Sequence, residues 1–161
     1  MLKYVDTKVT FSEVPDEISL CINISNCPCH CKNCHSSYLA QGIGTELTFN
    51  EIRKLIKKNS GISCVALMGG DAEPDKINTL ASFIINHYNS IKVAWYSGRQ
   101  ELSNYIDLCN FDYIKLGSYK EEFGPLNSRT TNQRLYKVSD GELVDITSRF
   151  YDRNLETCSG I

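Results

Sequence analysis

The sequence lacks any run of lysine or arginine, and its 17 basic and 19 acidic residues give a net charge of −2. Proteins that bind nucleic acid usually present basic side chains clustered on one face. The sequence also lacks an apolar run approaching about 18 residues and a charged-then-apolar leader. We therefore expect neither a nucleic-acid nor a membrane partner, and a cytoplasmic location where thiols stay reduced.

The sequence contains no internal repeat, low-complexity tract or linker. With 161 residues, 42% hydrophobic and 22% charged, the chain is long and apolar enough to bury one sizeable core. We predict a single domain that spans residues 1–161.

Cysteine is abundant and unevenly distributed. Four of the eight cysteines fall within the segment Cys27-Pro-Cys-His-Cys-Lys-Asn-Cys34, and Cys21, Cys64, Cys109 and Cys158 are dispersed. A disulfide scaffold would spread its cysteines through a smaller, loop-rich chain. Cys21 and Cys64 lie in apolar, strand-like segments and are expected to be small core residues.

Within the cysteine segment, Cys27, Cys31 and Cys34 have C-x3-C-x2-C spacing. Three thiolates would leave one iron of a cubane 4Fe–4S cluster open to a ligand that is not protein. The bacterial ferredoxin spacing, which adds a fourth cysteine, is absent. Cys29 is outside the pattern, and we predict a spectator rather than an alternative ligand or a redox-sensitive thiol.

Zinc is the alternative occupant of this segment. Structural zinc takes four nitrogen or sulfur ligands, and Cys29, His30 and His35 could add donors. Such sites usually draw two ligand pairs from separated positions, and no second pair follows. The spacing therefore favours a three-cysteine cluster over zinc.

Apolar strand-like segments alternate with helical patterns, which is typical of βαβ units and a parallel sheet. A closed eight-unit barrel typically needs about 250 residues, so this chain can form only part of one, with an open side. We predict about five parallel-type strands. The placed segments are strands Glu17–Ser25, Ser63–Met68, Ile91–Tyr96 and Phe111–Leu116, helices from Thr48 to Lys58, from about Ile77 to Tyr88 and over Gln100–Leu108, and a C-terminal hairpin of Leu135–Val138 and Leu143–Thr147.

The cysteine spacing, directly after the strand Glu17–Ser25, resembles the signature of the radical S-adenosylmethionine (SAM) superfamily. The resemblance implies an α/β fold, a partial, laterally open (β/α) barrel of the radical SAM type with a C-terminal β-hairpin. It implies that Cys27, Cys31 and Cys34 bind the cluster and that SAM chelates the open iron. The reduced cluster would then release a 5′-deoxyadenosyl radical, with the cofactors carrying the difficult chemistry.

The segment Met68–Pro74 resembles the Gly-Gly-Glu-Pro segment with which that superfamily holds the methionine amino group of SAM. Gly69 and Gly70 would allow close backbone approach. Asp71 follows them directly and Glu73 comes two residues later, so the sequence leaves open which carboxylate faces SAM. A plain helix-opening turn with acidic residues is the alternative.

Three further residues are candidates for cofactor binding. Ser97, in a stretch similar to the Thr-Gly-Tyr of small activating enzymes, would meet the ribose or carboxylate of SAM. Lys115 would pair with the methionine carboxylate, as a lysine near this point does in related activases. Asn33 lies inside the cysteine loop. An ordinary turn at Ser97 and a solvated lysine at Lys115 are the alternatives.

The segment Gly124–Tyr136 closely resembles the C-terminal Asn-Gln-Arg segment of the anaerobic ribonucleotide reductase activating proteins. Asn132, Gln133 and Arg134 are the corresponding candidates for an active-site or partner-binding loop. Ordinary turn chemistry would also explain the polar residues here. The resemblance covers the chain from about Ser19 to Thr147.

The chain is thus similar to the activases of the class III (anaerobic) ribonucleoside-triphosphate reductases. The resemblance implies a radical SAM oxidoreductase that abstracts hydrogen from a glycine of the large reductase subunit, with electrons from a flavodoxin- or ferredoxin-type donor. No catalytic residue beyond the cluster ligands is implied. The alternatives are a radical SAM enzyme for a small molecule, like those of the deazaguanine pathway, and a non-catalytic zinc or iron–sulfur module.

Overall fold

The structure, a computed structural model, describes residues 1–151. Cys158 lies outside this range. The described residues form one mixed sheet of eight strands, in the spatial order β3-β1-β2-β4-β5-β6-β7-β8, together with two α-helices. The strands are β1 (Lys3–Thr10), β2 (Ser19–Ile24), β3 (Thr45–Glu46), β4 (Cys64–Met68), β5 (Lys92–Tyr96), β6 (Tyr113–Leu116), β7 (Arg134–Ser139) and β8 (Glu142–Asp145), and the helices are α1 (Phe49–Lys58) and α2 (Pro74–His87).

The centre of the sheet is a parallel block of β2, β4, β5 and β6. Almost every residue of these strands is buried, as expected for parallel strands covered on both faces. Successive side chains point to opposite faces. One face packs large aliphatic residues and Trp95 against the helices. The other carries small residues such as Cys21, Cys64 and Ala94 together with Tyr96 and Tyr113.

The two α-helices follow from local sequence signals. The Thr48 side chain accepts a hydrogen bond from the Glu51 amide at 3.2 Å and begins α1, which confirms the predicted start of this helix. Helix α2 begins with Pro74 at its first turn, where a missing N–H costs nothing. The apolar faces of both helices, including Ile52 and Ile77, are fully buried against the sheet.

The predicted helix over Gln100–Leu108 is wrong. Residues 98–107 form bends and turns, followed by a short 3₁₀ helix at Leu108–Asn110. The Ser103 hydroxyl accepts from the Tyr105 amide, and the Asp107 carboxylate accepts from the Cys109 amide. Short polar side chains that satisfy nearby backbone donors in this way compete with helix formation.

The parallel block has four strands within the described residues, rather than about five, and antiparallel strands flank it on both sides. Strand β1 was not predicted, because only Thr10 in it is buried and charged residues interrupt its apolar positions. Strand β3, only two residues long, pairs with β1 at the sheet edge. The sequence pattern gives no signal for such short or half-exposed strands.

The C-terminal hairpin is present as predicted. Strands β7 and β8 pair antiparallel, and the turn residues Asp140 and Gly141 have φ of 51° and 76°. Positive φ at both positions matches the tight turns that suit the twist of a hairpin. The assignment of the whole sheet to a partial radical SAM barrel stays a prediction.

The amino ends of the parallel strands are joined by a polar network around Glu17, whose side chain is 4% exposed. Its carboxylate accepts hydrogen bonds from Ser63 at 2.6 Å and from the Tyr113 hydroxyl at 3.0 Å, and it pairs with Lys92. The network therefore links the chain before β2 to the starts of β4, β5 and β6.

Candidate functional site

A cavity of about 460 Å³ lies where the parallel strands end. Residues from the carboxyl ends of β2, β4, β5 and β6 line it, together with the loops that follow. Ligands of open α/β sheets bind at this edge, and the volume falls within the range of about 300–1,000 Å³ typical of small-molecule sites. The fold thus provides a site of suitable size at the expected edge.

All four cysteines of the Cys27–Cys34 segment line this cavity, and each is half-buried. The loop that carries them is tightly turned, because Asn26, His30 and Asn33 have φ of 61°, 44° and 57°. Asparagine and histidine adopt this left-handed conformation more readily than most residues. Successive turns therefore bring side chains that are close in sequence onto one wall.

The donor chemistry of this wall fits an iron–sulfur cluster, because cysteine thiolates are the usual ligands of such clusters. Cys27, Cys31 and Cys34, the three residues of the C-x3-C-x2-C pattern, share the cavity. Within residues 1–151, no three His, Cys, Asp or Glu side chains are arranged to hold a single metal ion.

Cys29 differs from its neighbours. Its thiol lies 3.9 Å from Oδ2 of Asp71, and burial, followed by the charges of Asp71 and Cys27, raises the pKa of Cys29 to about 12. Cys29 thus lies against Asp71, and its assignment as a spectator stays a prediction.

The structure separates the two acidic candidates. Asp71 is 7% exposed and lines the cavity, where its carboxylate accepts hydrogen bonds from the Ser97 hydroxyl and, at 3.0 Å, from the Gly98 amide. Glu73 lies away from this cavity and accepts from the amino group of Met1 at 2.7 Å. Asp71 is therefore the carboxylate that faces the site.

Gly69 and Gly70 have φ of 98° and 84°, which strain other residues. Gly69 lines the cavity, and a Cβ there would lie 3.2 Å from the Ile24 carbonyl oxygen. Gly70 packs beneath the site, where a Cβ would lie 2.4 Å from Cδ1 of Ile77. One glycine thus opens the wall of the cavity, and the other allows α2 to pack behind it.

Ser97 is fully buried and acts within the wall. Its hydroxyl donates to Asp71 and accepts from the Arg99 amide at 3.0 Å. The hydroxyl that the sequence assigned to SAM is thus engaged with protein groups. Its contact with Asp71 makes it a residue that orients this carboxylate.

Lys115 lines the cavity and is 9% exposed. Its ammonium donates to the carbonyl oxygens of Ser97 at 3.0 Å and Gly117 at 2.8 Å, and it makes no salt bridge within residues 1–151. Burial lowers the pKa of Lys115 to about 8, although Asp71 and the nearby thiols oppose this effect. A lysine has three donors, so one N–H is left for a ligand.

The Asn-Gln-Arg segment divides three ways. Asn132 donates to the Ser118 carbonyl oxygen at 3.0 Å, and Arg134 is exposed and pairs with Asp145 at 3.8 Å. Gln133 lines the cavity.

Asn33 is not among the lining residues. Its side chain donates to Glu121 at 2.6 Å and so connects the cysteine loop to the segment after β6.

Several lining residues were not predicted. Tyr119, whose ring lies 5.8 Å from that of His35, and Leu126 come from the loop between β6 and β7. Both residues follow Gly117, the glycine directly after β6, and this position was the sign in the sequence that they could reach the cavity. Ser12 and Glu13 belong to the connection between β1 and β2, and no motif marks them because β1 itself was not predicted.

Comparisons of this chain with protein-family models, with curated proteins and with solved structures found no match. Across residues 1–151, no helix has both the length and the apolar character needed to cross a membrane. The functional assignment therefore depends on the sequence motifs and the geometry of the cavity.

Proposed function

We propose that this chain is a glycyl-radical activase of the radical SAM type. It would use a 4Fe–4S cluster and SAM to abstract hydrogen from a glycine of the large subunit of an anaerobic ribonucleoside-triphosphate reductase. A flavodoxin- or ferredoxin-type protein would supply electrons, and the location would be the cytoplasm. The proposal includes the fold, a partial and laterally open (β/α) barrel.

One observation carries the proposal. Residues far apart in sequence, from Cys27 to Lys115, line a single cavity at the carboxyl ends of four parallel strands. The predicted site residues that line this cavity are Cys27, Cys31, Cys34, Gly69, Asp71, Lys115 and Gln133. The others do not line it. Cys27, Cys31 and Cys34 would hold the cluster, which when bound supplies the electron that cleaves SAM to a 5′-deoxyadenosyl radical.

Asp71 and Lys115 provide charges that suit the amino-acid part of SAM. Asp71 offers a carboxylate for the ammonium group, and Lys115 offers its remaining N–H for the carboxylate group. Both side chains are held by protein hydrogen bonds and are almost fully buried. Charges fixed in this way need little rearrangement when a ligand binds, which favours affinity and orientation.

The open side of the proposed barrel suits a protein substrate better than a small molecule. A laterally open barrel leaves its cavity accessible from one side, and the site would receive a loop from a partner. Docking of that partner would then complete the enclosure of the cavity and exclude water. If SAM cleavage were equally fast with and without the reductase, docking would not control the site.

The proposal is tested by anaerobic reconstitution of the chain with iron and sulfide, reduction with dithionite, and EPR spectroscopy with and without SAM. We expect a reduced 4Fe–4S signal whose shape changes when SAM is added. The large reductase subunit should then acquire a glycyl-radical signal. Bound zinc without visible absorption would contradict the proposal, and a cluster indifferent to SAM would indicate an electron-transfer or structural site.

A further inference from the structure

Gln133 presents its side-chain amide to the cavity without a protein partner. It is 6% exposed and lines the cavity. Its backbone amide donates to Thr131 at 3.1 Å, but its side-chain amide makes no hydrogen bond within residues 1–151. The fully buried side-chain atoms that lack a partner in this part of the chain are Ser19 Oγ and Asn132 Oδ1, so the Gln133 amide borders the open cavity instead. It is therefore placed to meet a group that enters the cavity.

The backbone holds Gln133 in this position. Leu116 lies opposite Arg134 in the antiparallel pair of β6 and β7, so Gly117 comes opposite Gln133 at the next position. A Cβ on Gly117 would lie 3.1 Å from Cα and 3.5 Å from Cγ of Gln133. Gly117 thus leaves room for the glutamine side chain, and the Gly117 carbonyl oxygen accepts from Lys115.

The chemistry of the amide selects the kind of group that it would bind. A glutamine amide presents an acceptor beside a donor. The same pair occurs in reverse along the edge of adenine, and glutamine makes a bidentate contact with its N6 and N7 atoms in protein–DNA complexes. Asp71 and Lys115 already provide for the charged end of an amino acid, whereas Gln133 is uncharged and suits a base.

We propose that Gln133 binds the adenine base of SAM through its side-chain amide. This inference rests on the proposed function, because it requires that SAM occupies the cavity. It assigns Gln133 a role in binding within the Asn-Gln-Arg segment, whereas Asn132 supports the loop and Arg134 faces solvent. Gln133 is thus a residue that determines specificity for the base.

The test measures binding of SAM, methionine and 5′-deoxyadenosine to the reconstituted protein by anaerobic calorimetry. Gln133→Leu should weaken binding of SAM and 5′-deoxyadenosine roughly tenfold, the effect of losing a buried hydrogen-bond partner. Binding of methionine should not change. The control Gln100→Leu makes the same replacement at an exposed glutamine and should leave all three affinities as they are.

Gln133→Glu provides a second variant of nearly the same size, in which the carboxylate cannot donate to the base. We expect it also to weaken the two adenosyl compounds and spare methionine. Unchanged affinity for SAM in both variants would overturn the role given to Gln133 and leave the proposed function standing. A parent protein that forms no cluster or binds no SAM would overturn the proposed function and the inference with it.

Discussion

At the scale of single residues, neighbouring cysteines on one loop have different surroundings. Cys29 faces Asp71, and burial together with that carboxylate raises the pKa of its thiol. Gly98 allows this approach, because a Cβ there would lie 2.7 Å from the Cys29 sulfur. The thiol outside the C-x3-C-x2-C pattern thus lies against the carboxylate that faces the cavity.

Replacement of each cysteine by alanine tests this distinction. Cys27→Ala, Cys31→Ala and Cys34→Ala should each abolish the cluster, because each removes one of three ligands. Cys29→Ala should retain it. Iron and sulfide content and visible absorption after anaerobic reconstitution are the measurements. Loss of the cluster in Cys29→Ala would show that the ligand set is wrong.

At the scale of secondary-structure elements, the junction between β4 and α2 fixes the wall of the site. Gly70 has φ of 84° and leaves no space for a Cβ against Ile77, which is fully buried in α2. Gly61, before β4, has a similar φ of 92°, yet a Cβ there would meet no atom within 4 Å. Comparison of Gly70 with Gly61 therefore distinguishes the cost of backbone strain from the cost of steric overlap.

Gly70→Ala should therefore destabilise the protein more than Gly61→Ala, by about 1–3 kcal/mol, the usual cost of overpacking a core. Chemical denaturation of both variants measures the difference in the free energy of unfolding. Adding Ile77→Val removes the Cδ1 atom and should recover part of the loss in Gly70→Ala. Equal destabilisation by the two alanines would mean that strain, and not the overlap, determines the cost.

The sequence predicted the elements whose signals are local and strong. The capped helix α1, the buried parallel strands and the hairpin around Asp140 and Gly141 all have such signals. Strand β1 depends on pairing with β2, and the turns over residues 98–107 depend on hydrogen bonds from local side chains and from the distant Asn78. Patterns of apolar residues do not record these contacts.

The same limit applies to the site. The resemblance to the activases singled out Asp71, Lys115 and Gln133, but not which of Asp71 and Glu73 enters the cavity. That outcome depends on the turn that places Glu73 beside Met1. Likewise, which residue of the Asn-Gln-Arg segment faces inward is decided by the register of β7 against β6.

At the scale of the whole molecule, the amino and carboxyl ends of the parallel strands differ in chemistry. The carboxyl ends carry the cavity, whereas Glu17 and its partners join the amino ends. Burial acts to raise the pKa of Glu17, but hydrogen bonds from Lys92, Ser63 and Tyr113 outweigh it, so the pKa lies below the ordinary value of 4.5.

This pKa predicts how stability changes with pH. Because the folded protein binds the Glu17 proton less tightly than the unfolded chain, the network stabilises the fold above the unfolded pKa. That contribution is lost as the pH falls through the lower pKa of the folded state. Glu17→Gln should lower the free energy of unfolding at neutral pH by about 1.5–3 kcal/mol, the range for hydrogen bonds to a charged group.

Denaturation curves recorded from neutral pH to about pH 3 measure both effects. Glu17→Gln should show a smaller loss of stability on acidification than the parent protein. Glu122→Gln, at an exposed position, is the control and should follow the parent curve. An unchanged acid dependence in Glu17→Gln would show that other carboxylates account for it.

Placement of the Glu17 network at the end of the strands opposite the cavity has a consequence for divergence of the protein. Substitutions among the loops that follow the strands can alter what the cavity accepts without touching the ion pair that joins the strand starts. Stability and ligand choice are thus assigned to opposite rims of one sheet. A lineage of such proteins could acquire new partners at one rim while the other preserves the scaffold.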